Sequence, residues 1–310
     1  MMKSFLFAVA FALPLAACQT FGSHDASPHV EAAKAAAVDA NVEGVYDNHA
    51  QVWAARESAA VAVPHVRVVV ETTGKREWTI WRVHLDASPP MDATWALRED
   101  AGATPALTPH RALVAAHTLG KDFDPAQWAP LDACALHPAN AVASFSGDAA
   151  TCTVLAPGIG AQMALLPLAL SRDGEWLRVR FYADQARGPD AREDLRRVQT
   201  FSGWAAINGG GPKAAADSND WHMDRAVRLD NEGGRYALHW RDGSASGYSL
   251  GLERVTYRDG NMPVLKLSVV EDASGQTLAY AWANPEATRI GINLGWVQVG
   301  LEGLRQAAPK

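Results

Sequence analysis

Cysteine is scarce, with three in 310 residues, too few for a small disulfide-stapled scaffold. Basic residues are in deficit: 28 Lys and Arg face 34 Asp and Glu, for a formal charge of −6. A nucleic-acid partner is therefore not expected, because nothing in excess is available to neutralise phosphates. No apolar run reaches the roughly 20 residues that a transmembrane helix needs. The familiar catalytic signatures are missing too: there is no H-E-x-x-H, no phosphate-binding P-loop and no G-x-G-x-x-G. Gly243-Ser244-Ala245-Ser246-Gly247 carries Ala245 where a nucleophile elbow needs serine, so it reads as a loop between strands. The ten histidines are scattered, without ligand-like pairing to carboxylates. No metal and no cofactor are expected.

What the chain does contain is apolar and aromatic. Hydrophobic residues make up 48%, with 11 Trp among them. That supports a sizeable core and excludes a disordered chain. At roughly 150 residues per domain the length allows one large domain or two small ones.

Residues 1–17 read as an export signal. Lys3 supplies the positive end, and Phe5 to Leu15 is an apolar stretch too short to span a bilayer. The stretch ends Leu15-Ala16-Ala17-Cys18, which resembles the lipobox of bacterial lipoproteins. The resemblance implies acylation of Cys18 and a membrane contact through the N-terminal lipid. Gln19, rather than Asp, is similar to lipoproteins passed on to the outer membrane, so the expected location is the periplasmic side of that membrane. Cys134 and Cys152 then remain, and an oxidising periplasm favours a disulfide between them. A metal pair or a free catalytic thiol has little support, since only His137 lies close in sequence.

Residues 18–40 are expected to form a tether leading into a short helix, for which the Ala-rich run Val30–Ala40 has the propensity. From 41 to 305 one β-barrel domain is expected. Glu77–Leu85 alternates, with Trp81, Val83 and Leu85 on one face and Trp78, Ile80, Arg82 and His84 on the other. Val66–Glu71 pairs with it through a turn at Thr72–Lys75. Trp176–Tyr182 repeats the pattern, with Leu177, Val179 and Phe181 opposite Arg178 and Arg180. Arg235–Trp240, Tyr248–Tyr257, Val264–Glu271 and Thr277–Ala283 form a meander punctuated by Asp-Gly and Ser-Gly turns. In the last of these, Leu278, Tyr280 and Trp282 share a face. Ile290–Leu301 is placed to close the sheet. Asn208–Asp220, with three consecutive glycines, reads as a long loop or a hinge. Strands at this spacing, without a βαβ rhythm, point to a mainly β, antiparallel barrel or sandwich.

The arginine-bearing faces have two readings. Turned inward, Arg82, Arg178 and Arg180 beside aromatic rings suit an apolar ligand carrying carboxylates. Turned outward, they are a solvated face.

Three segments carry a family resemblance. Gly44-Val45-Tyr46-Asp47-Asn48-His49-Ala50-Gln51-Val52, Trp78-Thr79-Ile80-Trp81-Arg82-Val83, and Pro130-Leu131-Asp132-Ala133-Cys134 with Phe145-Ser146-Gly147 and Cys152 resemble, in order, the CpcT/CpeT chromophore lyases. They span roughly residues 40–210. The resemblance implies a calycin- or lipocalin-like barrel holding a linear tetrapyrrole, with Tyr46, Asn48, Gln51, Trp81 and Arg82 at the pocket. Two readings follow. One is an outer-membrane lipoprotein that binds an amphipathic, tetrapyrrole-like ligand, with lyase-like activity if it is an enzyme. The other is a non-enzymatic envelope module that holds a protein or glycan on an aromatic surface.

Overall fold

The computed structural model describes residues 42–58, 60–100, 105–113, 122–139, 143–155, 160–215, 217–257 and 262–304. The export signal, Cys18, the expected helix at 30–40 and the turn at 258–261 lie outside the described residues.

The fold is mainly β and antiparallel, and the strands fall into two systems with separate cores. The first runs β1 (Gly44–Asp47), α1 (His49–Glu57), β2 (His65–Thr72), β3 (Trp78–Asp86), β4 (Met91–Asp100), β5 (Ala106–Ala112), β6 (Trp128–Pro130), β7 (His137–Pro138), β8 (Ser144–Ser146), α2 (Ala149–Leu155), β9 (Pro167–Asp173), β10 (Trp176–Phe181) and β11 (Glu193–Arg197). Each strand from β1 to β6 pairs with the next, as does each from β7 to β11, and β11 returns to pair with β1. The sheet curls into a half-barrel, with an isolated bridge across its open side. Leu107 in β5 and Leu136, just before β7, exchange two backbone hydrogen bonds of 2.9 Å.

Alternation decides what fills the curl. Trp81 and Val83 of β3, Trp95 and Leu97 of β4, and Leu177, Val179 and Phe181 of β10 all point into one core with Tyr46. The opposite face of β3 is partly covered as well. Trp78 and Ile80 pack with Ala96 and Trp128 in a small outer cluster. Cys134 and Cys152 are buried in the main core and joined as a disulfide, which fastens α2 to the short 3₁₀ turn Asp132–Cys134.

The second system contains β12 (Thr200–Asn208), β13 (Trp221–Asp230), β14 (Glu232–His239), β15 (Ala245–Val255), β16 (Val264–Glu271), β17 (Thr277–Ala283), β18 (Arg289–Asn293) and β19 (Val297–Gly303). They form two four-stranded sheets, ordered β13-β12-β19-β18 and β14-β15-β16-β17. Both contribute to one core, through Phe201, Ile207, Val227 and Val299 from the first sheet and Leu250, Leu252, Leu265 and Leu267 from the second. The chain changes sheet after β13 and after β17, and β19 closes on β12. Ile290–Leu301 therefore does close a sheet, but as two strands.

Sequence reasoning differs from this fold in two places. One barrel was expected over 41–305, whereas the strands form two systems that meet at Val198–Gln199. Asn208–Asp220, read as a long loop or a hinge, is the connection between β12 and β13, inside the second system. Helix α1 falls in a region read as alternating. Its nine residues are too few for helical periodicity to show, and its position comes from packing.

Occupied space requires glycine at several points, of which two bear on the packing of the sheets and of α1. A Cβ on Gly203 would lie 2.0 Å from the Gly300 carbonyl oxygen, so β12 and β19 pair only without one. Gly233, at φ +83°, has the His49 ring where its own Cβ would point.

Candidate functional site

The seven candidate binding residues do not converge on one cavity. Tyr46 and Trp81 are buried in the first core; Tyr46 Oη donates to the Val42 carbonyl at 3.0 Å and Trp81 Nε1 to Thr79 Oγ1 at 3.1 Å. Burial raises the Tyr46 phenol above its ordinary value.

Asn48 and Gln51 do come together, as the pins of α1. Asn48 Nδ2 donates to Glu193 Oε2 at 2.6 Å and to the Pro64 carbonyl at 2.8 Å, and its Oδ1 accepts from Val66 N at 2.8 Å. Gln51 donates to the Arg192 carbonyl at 2.9 Å and accepts from Asp194 N at 3.1 Å. The pair sews α1 to β2 and β11. Glu193 below them is fully buried beside Arg187, and burial lifts its carboxyl to about 7 against the pull of the guanidinium.

The three arginines face away from the first core, on the side opposite Val83, Leu177 and Val179. Arg82 pairs with Glu71 at 2.5 Å, Arg178 lies 3.5 Å from Asp194 and 3.6 Å from Asp173, and Arg180 reaches the Gly188 carbonyl at 3.4 Å. Arg82 and Arg178 are ion-paired on this outer face, and Arg180 is held there by a backbone carbonyl.

Among the described residues, surface cavities of some depth open at several places, and three of them bear on the candidate residues or on exposed aromatics. About 500 Å³ opens between the β2–β3 turn and residues 122–128, bordered by Lys75, Arg82, Asp124, Phe123 and Trp128. About 570 Å³ lies over Gly203 and Gly300 beside Trp204, and about 330 Å³ lies at the mouth of the second system beside Trp240, Asp220 and His222. Among the described residues no group of three or more His, Cys, Asp and Glu side chains is arranged to hold a metal. No described helix is long and apolar enough to cross a membrane.

A different kind of feature stands on the outer face of the β14–β17 sheet. Strand β17 inverts the usual pattern, with its alanines on the core side and its large residues outside. Tyr280 and Trp282 are 55% and 56% exposed, and their rings stack at 5.1 Å with planes 23° apart. Tyr257 adds to the row, 5.7 Å from Trp282, and Trp53 of α1 meets Tyr257 edge-on at 5.7 Å. Leu278 and Met262 are exposed at the flanks. The result is an aromatic ridge rising from the sheet.

The ridge has a charged foundation. Lys266, paired across the ladder with Trp282, lies 5.6 Å from the Tyr257 ring and 5.7 Å from the Trp53 ring. Its Nζ donates to Glu253 at 2.8 Å, and Glu253 also meets His49 Nε2 at 3.3 Å. Burial works against the Lys266 charge, but the bonds to Glu253 and Tyr257 outweigh it and hold the ammonium charged. One end of the ridge is thus continuous with the contact between the two β systems, and the other end is open.

Sequence reasoning placed Tyr280 and Trp282 on one face but gave no sign of its exposure. It missed Lys266, Glu253 and Trp53 altogether, since nothing local links residue 53 to residues 253–282. No family model, curated protein or solved structure matches the chain.

Proposed function

We propose that this protein is a non-enzymatic cell-envelope binding module, anchored by a lipid on Cys18 and using the Tyr280–Trp282 ridge as its contact face. The observation that carries the reading is the exposure of two stacked aromatic side chains. Soluble surfaces rarely leave contiguous large apolar groups in water unless something covers them. Tyr and Trp also give large contact area at small entropic cost, with a polar tip that tolerates a wet rim. The Lys266–Glu253–His49 network beneath supports the reading, because it fixes the rings in advance of contact.

The lipobox-like Leu15-Ala16-Ala17-Cys18 supports placement at the outer membrane, facing the periplasm, and the buried disulfide suits an oxidising compartment. For the fold we favour a calycin-like description of both systems, each an up-and-down meander whose last strand pairs with its first.

A tetrapyrrole in the lumen, which the CpcT/CpeT resemblance implies, has less support. Tyr46, Trp81, Trp95 and Phe181 occupy the first core, and none lines a cavity described above. The outer cavity beside Arg82 has apolar walls, but Glu71, Asp122 and Asp124 outnumber Lys75 and Arg82 there. That balance disfavours a ligand bearing carboxylates.

Immobilised wild-type protein, offered envelope vesicles, peptidoglycan and solubilised envelope proteins, should retain one of these fractions. Tyr280→Ala/Trp282→Ala should lose that retention, and Arg178→Ala/Arg180→Ala should keep it. Retention that survives loss of the ridge contradicts the proposal.

A further inference from the structure

Resting on this binding-face reading, we infer that the ridge docks on the bilayer itself, in the headgroup and upper acyl region of the membrane leaflet that carries the Cys18 lipid. The row Leu278, Tyr280, Trp282, Tyr257 with Met262 combines apolar bodies with Tyr and Trp polar tips, the side-chain set that suits a membrane–water boundary. Lys266, the cation that the described residues place among the rings, is buried and neutralised by Glu253, so it does not oppose insertion.

The stacked Tyr280 and Trp282 rings form an open exposed face, and none of the cavities described above is lined by either. An open face with polar-tipped rings lies against a broad soft surface without needing a cleft to receive its partner.

Val42, the first described residue, precedes Asn48 by six residues, and α1 carries Trp53 into the ridge one and a half turns later. Chain geometry puts Val42 at most about 28 Å from Trp53. From Cys18 to Val42 the chain spans at most about 80 Å. A tether of that length is long enough for the ridge to meet the leaflet that holds the lipid. An acyl anchor and an aromatic ridge make two separate membrane signals on one chain.

The test uses the mature chain with Cys18→Ser, so that no lipid masks the ridge. It is mixed with vesicles of phosphatidylethanolamine containing a minority of phosphatidylglycerol and sedimented. The chain should pellet with the vesicles, with Trp emission quenched by acyl-brominated lipid. Sedimentation should change little with salt, because the contact is apolar and the protein is net acidic. Tyr280→Ser/Trp282→Ser should partition roughly tenfold less, as expected for losing about 1.4 kcal/mol of apolar contact. Its thermal unfolding should match the parent, and the single Tyr280→Ser variant should fall between. A chain that stays in the supernatant, or a double variant that pellets equally, overturns the inference. If vesicles fail while the ridge variant still abolishes retention of a protein or peptidoglycan fraction, the lipid assignment falls and the binding-face reading stands. If wild type retains no fraction at all, both fall.

Discussion

Arg196 of β11 holds Glu232 of β14 in a two-pronged ion pair, Nε to Oε1 at 2.7 Å and Nη2 to Oε2 at 2.8 Å, with both side chains buried. The same Nη2 donates to the Arg254 carbonyl at 2.7 Å. This clasp joins the two β systems at the point where the chain crosses between them. Arg67 reinforces it by bridging Asp47 of β1 at 3.3 Å and Asp230 of β13 at 2.5 Å.

Removing one side of a buried pair strands the other charge. Arg196→Met should therefore cost about 3–5 kcal/mol in denaturant unfolding, while Arg196→Met/Glu232→Leu should recover most of that loss. A single variant as stable as the parent would show that the clasp holds nothing.

Glu193 gives the stability a pH dependence. Burial raises its folded carboxyl from 4.5 to about 7, so its contribution is complete below about pH 4.5 and is lost as pH rises through 7. Glu193→Gln, which cannot ionise but can still meet Asn48, should gain on the parent over that range by roughly 3 kcal/mol. Urea midpoints measured in parallel give the difference. A difference that stays constant across the window, or runs the other way, contradicts the assignment.

The Cys134–Cys152 bridge encloses 17 intervening residues. Cys134→Ala/Cys152→Ala should lose about 3 kcal/mol by chain entropy, and a reducing agent should lower the parent's unfolding midpoint by a similar amount. An unchanged midpoint under reduction would argue that the two thiols are not joined.

Gly203→Ala should separate β12 from β19, because the new methyl group would overlap the Gly300 carbonyl. A loss of about 2–3 kcal/mol is expected. Gly243→Ala is the control for glycine loss alone: nothing lies near its Cβ, and its φ of +82° charges only the backbone strain.

The parts of this fold that were legible in the sequence are those governed by neighbours a few residues apart. Val264–Glu271 and Thr277–Ala283 came out with the bounds that the structure gives, because Leu265, Leu267 and Val269 alternate cleanly and a Ser-Gly turn separates the strands. Strand β12 escaped, since Ser202-Gly203-Trp204-Ala205 is shaped by β19 packing on it and shows no period. The division into two systems escaped as well. Nothing at Val198–Gln199 marks a boundary, which is made by Asn231 bonding across to Gln199 and by the Arg196 clasp.

The candidate site follows the same rule. The alternation of Arg178 and Arg180 was readable, but which face turns inward is fixed by closure of the sheet. For β17 the period of two was equally plain, yet alanine and aromatic faces are both apolar, so hydropathy could not tell core from surface. Asn48 and Gln51 were singled out by resemblance, and in the structure they fasten α1.

Hydroxyl-radical footprinting tests the central claim most directly, because Met, Tyr and Trp are its best reporters and the ridge is built of them. The protein is oxidised once in intact envelope and once after purification. Met262, Tyr280 and Trp282 should be protected several-fold in the envelope, while Trp204 and Met223, exposed on the other sheet of the second system, should react alike in both samples. Equal oxidation of Tyr280 and Trp282 in both samples, or protection confined to Trp204 and Met223, would contradict the ridge as the contact face.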